Sequence, residues 1–79
     1  MPVPAGKQPE PSPLARSFSA LVRMVMARDG VTAQELALRT GISRSYLGKR
    51  LRDEAPMTLN DVEAVSKALA IDLPALPEI

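Results

Sequence analysis

The sequence predicts an all-α fold, a compact bundle of four to five helices with two central helices joined by a tight turn. Three observations carry this expectation. Apolar residues recur at helical spacing along most of the chain. Ser and Thr stand where helices start, and Gly and Pro where they stop. Strand alternation, hairpin dipeptides between strands, internal repeats and heptad runs are all missing. Seventy-nine residues make one small domain with one core.

Residues 1–11, MPVPAGKQPEP, are rich in Pro and lack periodic apolar positions. They read as a flexible or polyproline-like N-terminal arm. The functional alternative is an arm lying along a DNA backbone or in a minor groove, with Lys7 as its one cation. Residues 12–79 form the folded domain.

Helix 1 begins at Ser12, an N-cap, with Pro13 at the first helical position, where its missing N–H costs nothing. Leu14, Phe18, Leu21, Val22, Val25 and Met26 make its apolar stripe. Gly30 ends it as a left-handed cap. Helix 2 starts at Thr32, which with Glu35 forms a capping box, while Val31 staples onto Leu36. Leu36 and the small Ala37 face inward. Gly41 supplies the positive φ of a sharp turn, and Ile42 plugs the space beneath it.

Helix 3 has Ser43 as N-cap, with Leu47 and Leu51, four residues apart, on its buried side. Ser45, Lys49 and Arg52 lie away from that side, with Arg44 and Gly48 at the border. Gly48 costs ~1 kcal/mol relative to Ala in a helix interior. Either a DNA backbone or base edge approaches closely there, or the position is simply weak. Residues 53–57 form a loop, and Pro56 keeps helix 3 from running on. Thr58 caps helix 4, with Asp61 in the box position. Leu59, Val62, Val65 and Leu69, helped by Ala68, make its buried stripe. The tail after Asp72 has room for one turn of a fifth helix, closed by Pro77.

Net charge is only +1, yet Arg39, Arg44, Lys49, Arg50 and Arg52 fall between residues 39 and 52 with no acid among them. The rest of the chain therefore sums to −4. A local positive field of that kind suits a phosphate backbone, and a helix–turn–helix with a basic second helix can enter a DNA groove. The plainer reading is a solvated basic face. The chain has no Cys and no His, which removes disulfides, thiolate metal sites and the commonest general base. No carboxylate pair or Gly-rich phosphate loop sits in a credible context. Catalytic residues, metal ligands and cofactors are thus expected to be none. No apolar run approaches the ~20 residues of a membrane span, and no segment looks like a signal peptide.

The run Gln34-Glu35-Leu36-Ala37, Gly41-Ile42-Ser43-Arg44-Ser45, Leu47, then Thr58-Leu59, Lys67-Ala68-Leu69 and Ile71, resembles the phage repressor and Cro-type (XRE-like) helix–turn–helix domains. The likeness covers about residues 17–76. The stretch SYLGKRLRDEAPMTLNDVEA is most similar to short regulators of actinobacteria and their phages. The resemblance implies a lambda-repressor-like domain that binds double-stranded operator DNA in the bacterial cytoplasm, at the nucleoid, with no small-molecule ligand. It implies a recognition helix over about Ser43–Arg52.

On that reading Arg44, Ser45 and Lys49 reach base edges, with Arg44 suited to a bidentate bond to guanine O6 and N7. Ser43, Tyr46, Arg50, Arg52, Gln34 and Thr32 contact the backbone, and Gly41 makes the turn. Duller roles stand beside these: solvated Arg for Arg44 and Arg52, and partial core for Tyr46. Three positions depart from the family. Ala33 stands where Gln is frequent, Arg50 where an apolar residue is usual, and Ala70 where Gly usually ends helix 4. Whether the chain forms a homodimer in solution, only on DNA, or not at all is left open. A second reading is a protein-binding regulatory module, antitoxin-like or anti-repressor, using Met24 with its helix 1 neighbours or the tail Leu73, Leu76 and Ile79.

Overall fold

The computed structural model describes residues 9–73. Over this range it holds four helices: α1 (Pro13–Asp29), α2 (Ala33–Thr40), α3 (Arg44–Leu51) and α4 (Leu59–Leu69). The arm residues 1–8 and the expected turn closed by Pro77 lie outside the described residues. Ile71–Leu73, the start of the tail, are not helical.

The helix ends are set by short polar side chains and left-handed residues. Ser12, Thr32, Ser43 and Thr58 each accept a hydrogen bond from the backbone N–H three residues on. One donor left over by each helix start is thereby satisfied. Thr58 and Asp61 make the full reciprocal box. Thr32 and Glu35 make only half of it, because the Glu35 carboxylate lies toward Arg39, 3.6 Å away one turn on. Gly30 and Gly41 close α1 and α2 at φ 67° and 75°. Ala70, which departs from the usual Gly at this end, also adopts the left-handed region at φ 55°. The Ile71 N–H then returns to the Ser66 carbonyl at 2.9 Å, so α4 ends as sharply as the glycine-terminated helices.

Val22 and Val25 of α1, Val31, Leu36 of α2, Leu47 and Leu51 of α3, and Val65 and Leu69 of α4 form one buried cluster. Phe18, Met26, Ala37, Ile42, Met57, Ala68 and Ile71 pack around it. α3 is thus cradled by α1 and α2, while α4 closes the bundle against α1 and α2. Removing these side chains from water drives the fold, at ~1.5–3 kcal/mol for each fully buried Val or Leu.

The apolar stripes overreach at three places. Leu14 is 81% exposed and Leu59 is 84% exposed. α1 has 17 residues against 8 in α3 and 11 in α4, so its first turn runs past its partners. Leu59 lies ~120° around α4 from the buried Val65, whereas Asp61 lies only ~40° from it. Asp61 takes the inward place instead, and Leu21, also expected in the stripe, is exposed at its flank. Ser19, Asp61 and Ser66 are buried polar residues that an apolar pattern does not reveal.

Candidate nucleic-acid interface

The turn between α2 and α3 is shaped by more than Gly41. The Thr40 hydroxyl donates to the Leu36 carbonyl at 2.8 Å and accepts from the Ile42 N–H at 3.2 Å. Gly41 N–H closes onto the Ala37 carbonyl at 2.9 Å. These bonds hold Ile42 against the core and aim Ser43 outward as the α3 cap. A threonine before a turn glycine is legible in sequence as a local backbone partner, yet nothing marks it as a site residue.

Burial fixes the roll of α3. Leu47 and Leu51 point into the core, Ser45, Lys49 and Arg52 stand exposed on the opposite side, and Arg44 is exposed as the first residue of the helix. Neither Arg44 nor Lys49 forms an ion pair among the described residues, and the first turn of α3 carries no acid. Gln34, Ser43 and Arg44 border a shallow groove between α2 and α3, together with Leu38, an exposed apolar residue that sequence reasoning passed over. Thr32 is exposed at the start of α2.

The other basic residues of α3 are engaged. The Arg50 guanidinium lies over the Tyr46 ring, 3.6 Å from its centroid, and its Nε is buried without a hydrogen-bond partner. This accounts for a basic residue at a position where the family resemblance led to an expected apolar one. The aliphatic stem packs along the helix and the charge rests on an aromatic face. Arg52 is paired with Glu54. Its guanidinium also crosses Gly48, where an added Cβ would stand 3.1 Å from Nη1. The glycine therefore leaves room for a side chain of its own helix, a role beyond the two readings its sequence position suggested.

Tyr46 is half-buried, and its hydrogen-bond partner lies on α4. Its hydroxyl donates to Asp61 Oδ2 at 2.8 Å, and the same oxygen accepts the Thr58 N–H at 3.0 Å. The bond to Asp61, with burial adding to it, raises the phenol above its ordinary range. Asp61 thus caps α4 and anchors α3 at once. Its capping role was visible in the spacing Thr58…Asp61, whereas its tie to Tyr46 joins residues 15 positions apart and left no local signal.

An exposed basic face on the second helix of a tight helix pair is what the family comparison bears on. The helix-turn-helix family model matches residues 22–76, more than half of the chain. The chain belongs to the helix-turn-helix family. As a helix-turn-helix protein it falls, in general terms, among DNA-binding regulators, and α2, the Gly41 turn and α3 are the elements that define the motif. No curated protein and no solved structure matched the chain. Among the described residues no group of His, Cys, Asp and Glu could hold a metal ion, and no helix is long and apolar enough to cross a membrane.

Proposed function

We propose that this helix-turn-helix protein binds operator DNA sequence-specifically, with α3 in the major groove, and regulates transcription by occupying the site, as a Cro-like repressor does. The observation that carries the reading is the solvent-exposed surface of α3, which presents Arg44, Ser45 and Lys49, both cations without an ion pair among the described residues. Arg44, at the helix N-terminus, reaches guanine. Ser45 and Lys49 read the neighbouring base edges. Ser43, Thr32 and Gln34 lie where phosphates pass the starts of the two helices. Arg50 and Arg52 serve the backbone as well, Arg50 from its seat on Tyr46 and Arg52 by exchanging Glu54 for a phosphate. Two copies occupy a palindromic site with half-sites about one helical turn apart. The protein acts in the bacterial cytoplasm, and the sequence likeness to regulators of actinobacteria and their phages supports that setting.

The test is selection of bound sequences from a randomised duplex pool, followed by affinity measurements at two salt concentrations. With Arg50 and Arg52 of each copy on phosphate, two copies give a slope of about −4 in log affinity against log salt. Arg44→Ala loses about 1–3 kcal/mol of discrimination at one base position. Arg52→Ala weakens all duplexes alike. Equal, weak binding to every duplex would sink the operator reading. It would favour a protein partner on the exposed Leu14 and Met24 of α1.

A further inference from the structure

A helix of eight residues cannot fix its own direction, so something outside α3 must hold the angle at which it meets DNA. The Tyr46–Asp61 bond holds one end to α4. The other end is tied to α1 in a way that the helix–turn–helix motif itself does not require.

The last four carbonyls of α3 all have partners. Gly48 accepts from the Arg52 N–H, Lys49 from the Glu54 N–H and Arg50 from the Asp53 N–H. Leu51 alone is served by a different helix, through Nη1 of Arg23 on α1. A cation at a helix C-terminus also meets the negative end of the helix dipole. The next residues tighten this link. Asp53 holds a left-handed backbone at φ 61°, unusual for a residue other than Gly. That conformation turns its carboxylate back onto α1. Oδ1 accepts from the Ser19 hydroxyl at 2.6 Å, and Oδ2 lies 3.5 Å from Arg23 Nη1. Ser19 is only 1% exposed, touches the Arg16 carbonyl at 3.0 Å and receives Arg23 Nη1 at 3.4 Å. A buried hydroxyl, a half-exposed guanidinium and a carboxylate on a left-handed backbone thus converge on the end of α3.

We propose that Ser19, Arg23 and Asp53 are positioning residues that set the tilt of α3 on α1 and so the register of Arg44, Ser45 and Lys49 against bases. The proposal rests on the reading of α3 as the recognition helix. Its structural content, an α3 orientation held by this clamp, stands independently and is measured without DNA. The three residues touch no base themselves. Their effect is on discrimination between sequences rather than on overall attraction to DNA.

Asp53→Gly separates positioning from stability. Gly accepts the left-handed backbone freely, so the chain relaxes while both side-chain ties are cut. Asp53→Asn is the conservative control, since Asn tolerates the same backbone and keeps an acceptor for Ser19. Residual dipolar couplings of the free proteins report the direction of α3 relative to α1. The affinity ratio between the duplex selected by wild type and a scrambled duplex reports discrimination. For Asp53→Gly the expected result is a folded protein with a melting temperature at most modestly below wild type, since relief of the left-handed backbone partly offsets the lost bonds. Couplings over residues 44–52 no longer fit the wild-type orientation. The ratio falls about tenfold, the worth of one base contact, with scrambled binding unchanged. Asp53→Asn retains both. If Asp53→Gly does not fold, Arg23→Met, on an ordinary helical backbone, is read in its place with the same expectation. Couplings that still fit the wild-type orientation overturn the clamp. Failure of wild type to select any duplex overturns the operator reading instead, and the couplings then decide the clamp alone.

Discussion

At the scale of single residues, Tyr46 does two jobs with two parts of its side chain. The ring carries the Arg50 charge and the hydroxyl reaches Asp61. Tyr46→Phe keeps the first and removes the second. It also leaves an Asp61 oxygen with one donor fewer in a buried place, so the cost is about 1–3 kcal/mol, read from denaturant unfolding. The same bond makes a pH prediction. The folded phenol titrates above its unfolded value because the proton is held toward Asp61. The contribution is therefore fully present below the unfolded value, near pH 10, and is lost as pH rises through the folded one. Wild type should lose stability above about pH 10 more steeply than Tyr46→Phe. Tyr46 is the only tyrosine, so tyrosinate absorbance follows the group directly. Parallel pH profiles for the two proteins would remove the Asp61 bond as the cause.

At the scale of elements, helix ends carry testable differences. Ala70 sits in the left-handed region, where a Cβ costs roughly 1–2 kcal/mol. Ala70→Gly relieves that cost, partly offset by the freedom glycine gains when unfolded. The expected result is a gain of about 1 kcal/mol and a rise in melting temperature of about 4–8 °C for a domain this small. No gain would mean that the backbone at residue 70 relaxes elsewhere. Element starts were legible because caps are local: Ser12, Thr32, Ser43 and Thr58 each bond within three residues. Gly30 and Gly41 were legible for the same reason. The end at Ala70 was not, because its residue type does not advertise a positive φ. Buried faces were legible for most mid-helix positions and failed at Leu14, Leu21 and Leu59, since periodicity along one helix carries no information about how far its partners extend along or around it. The exposed side of α3 followed from Leu47 and Leu51 alone. The bond of Tyr46 to Asp61 did not, because it joins residues 15 positions apart; the contacts of Arg50 with Tyr46 and of Arg52 with Glu54 are local, and spacing alone does not decide between such a contact and solvent. Ser19, Arg23 and Asp53 escaped as the Tyr46 bond did: they meet across 34 residues of chain.

At the scale of the whole molecule, folding and binding draw on one small core. A chain of 79 residues has about 4–12 kcal/mol of stability in all. Leu36 is fully buried where α2 meets the other helices. Leu36→Ala removes its contacts and leaves a cavity, at about 2–5 kcal/mol. That is enough to bring the variant close to unfolding, although the face of α3 that would meet DNA is untouched. A ligand that binds only the folded state restores stability by mass action, about 2.7 kcal/mol at a concentration one hundred times its dissociation constant. If α3 reads sequence, the duplex selected by wild type should raise the melting temperature of Leu36→Ala well above what a scrambled duplex achieves. The gap should persist as salt rises, because phosphate attraction fades for both duplexes while base contacts remain. Arg44→Ala in the same background should narrow the gap without changing the melting temperature of the free protein. Equal rescue by both duplexes would mean that the basic face attracts DNA without reading it. Rescue by neither would point to a partner other than DNA.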